Sequence, residues 1–127
     1  IGFFKEYGDY KFLLDSDGDV SQLIPLFIEA GIDGMIPFEV AAGMDIVSVA
    51  RQYPQLIISG GIDKREITKG KAAIDRELER VLPPLFKRGG YVPALDHQVP
   101  PEVSYADFKY YVARVRQHYD KSGKQPG

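Results

Sequence analysis

Short apolar runs alternate along the chain with longer stretches in which apolar residues recur at helical spacing. Phe12-Leu13-Leu14 ends at Asp15. Ser21 is placed to cap a helix whose Leu23, Ile24, Phe27 and Ile28 share a face, with Pro25 in the first turn and Gly31 as the stop. Gly34 to Phe38 reads as a second strand, ending at Glu39. After Gly43, Ile46, Val47, Val49 and Ala50 form the inner face of a short helix that Tyr53-Pro54 closes. Leu56 to Ser59 is a third strand that runs through Gly60-Gly61-Ile62 to Asp63.

A long helical pattern then carries Ile74, Leu78, Val81, Leu82 and Leu85, with Glu77 and Arg80 among its polar positions. Pro83-Pro84 is expected to kink or end it, because proline lacks the N–H that the helix ladder needs. Tyr91 to Leu95 is the fourth strand, followed by Asp96-His97. Ser104 with Asp107 three residues on is a capping-box pattern ahead of Phe108, Tyr111, Val112 and Val115. Residues 120–127 are expected to be a flexible tail, and His118 beside it a surface residue. Tyr7, Tyr10, Tyr110 and Tyr111 are expected to serve packing.

Four strand–helix units of this kind predict an α/β fold with parallel strands. Asp15, Glu39, Asp63 and Asp96 each follow a strand, so all four are expected on the rim formed by the strands' carboxyl ends, where such folds build their sites.

The stretch Asp15-Ser-Asp17-Gly-Asp19 admits several chemistries. A calcium loop starting at Asp15 needs Gly at its sixth position and Glu at its twelfth, and these are Val20 and Leu26. "LLDSDGDV" and "LIISGG" resemble the first two motifs of the haloacid-dehalogenase phosphatases, where Asp15 would be nucleophile and Asp17 the acid–base with Mg²⁺. No paired acids for the metal follow later in the chain. A polar turn is the plain alternative, and it suits Asp19 best.

Composition narrows the setting. The 127 residues are enough for one domain, and the net charge of −2 gives no general attraction to nucleic acid or anionic membranes. Cysteine is absent, which removes disulfides and thiolate metal ligands and fits a cytoplasmic setting. No apolar run approaches the roughly 20 residues of a membrane span. The chain starts on Ile rather than Met, so a piece of a longer polypeptide is an expectation.

"LLDSDGD…LIPLFIEAGIDGMIPFE", "LIISGGIDK" and "GGYVPALDHQVPPEVSYADF" together resemble the C-terminal half of the uroporphyrinogen decarboxylase superfamily, which includes cobalamin-dependent methyltransferases. The resemblance implies that residues 1–119 are four βα units, the second half of a TIM (β/α)₈ barrel. It implies decarboxylation of a carboxylate-bearing substrate without a cofactor, with His97, Asp96 and Asp63 catalytic. The family's arginine-rich substrate clamp lies in the other half-barrel, and Lys64 and Arg65, the cations beside the acidic rim, are the candidate substrate-binding residues here. The segment Gly60-Gly61-Ile62-Asp63 departs from the family's "GN-hydrophobic-D" turn.

The methyltransferase branch implies a metal and a corrinoid partner protein. Its zinc thiolates have no counterpart here, but Asp15, Asp17, Glu39 and His97 (or Asp96) form a candidate hard-ligand set for Zn²⁺, Mn²⁺ or Mg²⁺. The expected partners are a small-molecule substrate and the missing N-terminal half-barrel or a second copy of this chain. A non-catalytic half-barrel that dimerises through its strand edges is the alternative outside enzymology.

Overall fold

The computed structural model describes residues 1–123. Its strands are β1 (Leu13–Ser16), β2 (Gly34–Pro37), β3 (Ile57–Ile62) and β4 (Tyr91–Leu95). They form one sheet in the order β1-β2-β3-β4, and every pairing is parallel. The helices are α1 (Gly2–Lys5), α2 (Ile24–Glu29), α3 (Ile46–Gln52), α4 (Lys64–Ile67), α5 (Lys71–Arg88) and α6 (Tyr105–Lys121), and a 3-10 turn spans Val40–Ala42. The predicted α/β succession of parallel strands and intervening helices is therefore present.

The two faces of the sheet differ. Met35, Ile58 and Ile62 point into a core shared with Ile24, Ile46, Val49, Ile74, Leu78, Val81, Leu82 and Leu85. The register aligns Leu13 with Gly34 and Ile57, Asp15 with Ile36, and Ser59 with Val92 on the opposite face. There Leu13 and Val92 are 56% and 57% exposed. Parallel sheets ordinarily have both faces covered, and this chain covers one.

Local chemistry explains most of the helix ends. α2 closes in a Schellman motif: Ile32 N–H bonds to Phe27 O and Gly31 N–H to Ile28 O, both at 3.0 Å, with Gly31 at φ 95°. Ser104 Oγ accepts the Asp107 N–H at 3.0 Å, as the capping pattern predicted. The start of α2 departs from expectation. Ser21 does not cap it, because its own N–H and hydroxyl both turn back to Asp19 Oδ1. Leu23 becomes the boundary residue and lies exposed.

Pro83 and Pro84 neither end nor divide α5, which runs unbroken to Arg88. Both prolines lie on its exposed side, as do Glu79 and Arg80, whose carbonyls lose their helical partners. Water can satisfy those carbonyls, while Val81, Leu82, Leu85 and Phe86 hold the other side in the core. α6 runs through Lys121 and so takes in the first two residues of the segment expected to be a tail, of which 124–127 lie outside the described residues. Tyr111 and Tyr110 pack as expected, Tyr110 donating to Asp75 at 2.7 Å, but Tyr7 and Tyr10 are 70% and 54% exposed. No helix among the described residues is long and apolar enough to cross a membrane.

Candidate active site

The carboxyl ends of the strands open onto a cavity of about 440 Å³ on the uncovered face. Asp15 and Asp17 line it from the end of β1, Ile36 and Pro37 from β2, Ser59 and Gly60 from β3, and Leu95, His97 and Gln98 from β4 and the loop behind it. Residues far apart in sequence meet here because parallel strands deliver their ends to one edge. Asp15, Asp17 and His97 are all exposed to the cavity, with side chains that bond to no other described residue.

Gly60 is needed for close packing at the floor of this cavity. It has φ 96°, and a side chain there would fall within 2.9 Å of Pro37 Cα and closer still to its carbonyl. The Tyr91 hydroxyl donates to the Gly60 carbonyl at 3.0 Å, which pins the same backbone from the adjacent strand. Burial of that hydroxyl pushes the Tyr91 pKa up, so it stays a donor.

The other three acidic stations do different work. Asp96 is fully buried: Oδ2 accepts the Val40 N–H at 2.9 Å and Oδ1 the Lys64 N–H at 3.0 Å. It therefore ties the exits of β2 and β3 to the end of β4. Glu39 Oε2 accepts the Gly18 N–H at 3.2 Å, and Lys64 Nζ lies 4.0 Å from Glu39 Oε1. Glu39 thus fixes the turn that carries Asp17.

Asp63 caps α4 by accepting the Arg65 N–H at 2.9 Å, and the Arg65 guanidinium closes on the same carboxylate at 2.8 Å. Burial works against the charged form of Asp63, yet the bonds and charge of Arg65 hold its pKa below the ordinary aspartate value. Lys64 and Arg65, expected to bind substrate, each face a carboxylate of this chain instead. Neither lines the cavity.

Sequence reading missed Glu77. It is buried on α5, where Oε1 accepts the Asp63 N–H at 2.9 Å and both carboxylate oxygens receive the Arg80 guanidinium. Arg80 reaches on to Asp45 at 3.0 Å, and these two carboxylates raise its pKa further. The signal available in the sequence was a Glu at a helix position flanked by the apolar residues Ile74, Leu78 and Val81.

Four residues were expected to hold a metal. Among the described residues no three carboxylate or imidazole side chains form a group that could hold an ion. Glu39 is occupied by Gly18 and Lys64, and the alternative ligand Asp96 by two backbone N–H groups. Asp15, Asp17 and His97 share the cavity without converging, so the donors present do not fit a preformed metal site.

What the cavity can do chemically follows from its walls. It offers one imidazole and two carboxylates facing a mostly apolar floor of Ile36, Pro37 and Leu95. That is an equipment for proton transfer to a bound organic molecule. No family model matches this chain, and no match was found among the curated proteins or among the solved structures.

Proposed function

We propose that this chain is the carboxyl-terminal half of a uroporphyrinogen decarboxylase-like (β/α)₈ barrel and supplies the proton-transfer side of its site. The observation carrying this reading is that Asp15, Asp17 and His97 line one cavity at the carboxyl ends of parallel strands. The open sheet face and the unpaired outer edges of β1 and β4 support the barrel reading. Four further parallel units would pair both edges and bury Leu13 and Val92.

In the proposed reaction the bond between a substrate carbon and its carboxylate breaks, CO₂ leaves, and the electron pair stays on carbon. His97, as the general acid, delivers a proton to that carbon. Asp15 and Asp17 repel the departing carboxylate, a repulsion relieved when it becomes neutral CO₂. Cations that anchor the substrate's other carboxylates come from the covering units, since Lys64 and Arg65 face Glu39 and Asp63. Asp63 and Asp96 act in this reading by positioning loops, not by touching substrate.

The test is CO₂ release from a panel of carboxylated pyrroles and simpler carboxylic acids, using the full polypeptide that carries these units. His97→Ala is expected to lower turnover by about 10²–10⁴-fold, the usual contribution of a general acid. Unchanged turnover would remove His97 from the chemistry. Absence of CO₂ release, with methyl transfer to a thiol that depends on added Zn²⁺ and a corrinoid protein, would replace decarboxylation by the methyltransferase reading.

A further inference from the structure

A second cavity, of about 390 Å³, lies between the carboxyl-terminal turns of α5 and α6. α5 returns the chain from the end of β3 to the start of β4, and α6 returns it again after β4. Both helices therefore finish at the amino ends of the strands, across the sheet from the candidate active site. Glu79, Pro83, Phe86 and Lys87 line this cavity from α5, and His118, Lys121 and Ser122 from the end of α6.

His118 is the unusual member. It continues the inward stripe of Tyr111 and Val115 at helical spacing, so the imidazole sits where an apolar side chain would ordinarily pack. Its side chain is 10% exposed, which corrects the expectation of a surface histidine. Nε2 is buried and has no hydrogen-bond partner among the described residues. The nearest carboxylate oxygen, Glu79 Oε2, stands 3.8 Å away. Leaving such a nitrogen unpaired is costly, and a group bound in the cavity would relieve it.

The other walls say what kind of group. Pro83 and Phe86 offer an apolar floor. Lys87 and Lys121 border it and form no ion pair with a carboxylate among the described residues, and both stand in last turns where the helix carbonyls favour cations. Among the lining residues the opposing charge is Glu79. The volume suits a small ligand.

We infer that this cavity is a binding site for a small amphipathic anion: an apolar ring or branched chain lies on Pro83 and Phe86, an acceptor oxygen meets His118 Nε2, and a carboxylate or phosphate faces Lys87 and Lys121. The site is separate from the proposed decarboxylase cavity and does not depend on that reading. Burial holds the His118 pKa below the ordinary histidine value, so at neutral pH the imidazole is uncharged and serves as a directional donor.

The test titrates benzoate and phenyl phosphate into the chain while NMR follows the His118 imidazole and the Phe86 ring. Benzyl alcohol and benzylamine serve as neutral and cationic controls of similar size. A saturable shift is expected with at least one acid, about tenfold tighter than with either control, as charge-assisted hydrogen bonds imply. The acid that binds tighter identifies the head group. His118→Phe and the surface double variant K87Q/K121Q should each weaken binding about tenfold. Because the lysine variant leaves the core untouched, it decides the matter even if the histidine variant fails to fold. No saturable shift with either acid, equal affinity for benzyl alcohol, or unchanged binding in K87Q/K121Q overturns the inference.

Discussion

The buried carboxylate of Asp96, just past β4, accepts the backbone N–H of Lys64, the first residue of α4, at 3.0 Å. The same carboxylate takes the Val40 N–H at 2.9 Å, so one side chain closes the exits of three strands. Asp96→Ala leaves two N–H groups without their acceptor. Chemical denaturation should show a loss of about 2–4 kcal/mol, from the usual worth of hydrogen bonds to a charged group. Asp96→Asn should cost less, since its amide oxygen can still accept one of the two. A change within about 0.5 kcal/mol for the alanine variant, the size of a neutral surface substitution, would mean the clamp is dispensable.

Glu77 serves β3 from the helix side. Glu77→Ala deprives the Asp63 N–H of its acceptor and leaves Arg80 with Asp45 alone. The expected destabilisation is about 2–3 kcal/mol, below that of a fully buried ion pair because Arg80 is 44% exposed. Adding Arg80→Ala should cost much less than the sum of the single changes. A double-mutant cycle measures the coupling, and strict additivity would show that the pair acts independently.

His97 carries the opposite expectation. It is exposed and bonds to no other described residue, so His97→Ala should leave the denaturation midpoint unchanged within about 0.5 kcal/mol while removing turnover. A large stability loss would reassign His97 to the scaffold.

Acidification should destabilise the fold in two stages. His118 has a folded pKa below its unfolded value near 6.5, because burial disfavours the imidazolium. Its contribution is complete above that value and erodes as the pH drops below about 6.5, where the unfolded chain takes up the proton more readily. Glu79 and Asp75 oppose this shift, and Arg114 and Lys121 reinforce it. His118→Gln should abolish this first stage in thermal melts recorded between about pH 7 and 5, the window of histidine titration. The second stage includes Asp45, Asp63 and Asp75. Burial raises their pKa values, but hydrogen bonds and nearby arginines lower them by more. Their stabilisation is present above the unfolded aspartate value of 3.8 and is lost as the pH falls through the lower folded values.

The sequence by itself determined the succession of elements and the end of the sheet where chemistry could gather. Apolar runs followed by helical spacing require parallel strands, and parallel strands put Asp15, Glu39, Asp63 and Asp96 at one end. Tertiary structure decided what each acid does there, because the decisive partners are backbone N–H groups contributed by other units. Val40 and Lys64 reach Asp96 across 56 and 32 residues, and Gly18 reaches Glu39 across 21. A carboxylate in a one-dimensional pattern looks the same whether it faces substrate or holds a loop. Burial and partnering separate the two, and both are properties of the packed chain. For the same reason Glu77 read as an ordinary polar helix residue and His118 as surface. The faces they occupy become interior only when α5 meets β3 and α6.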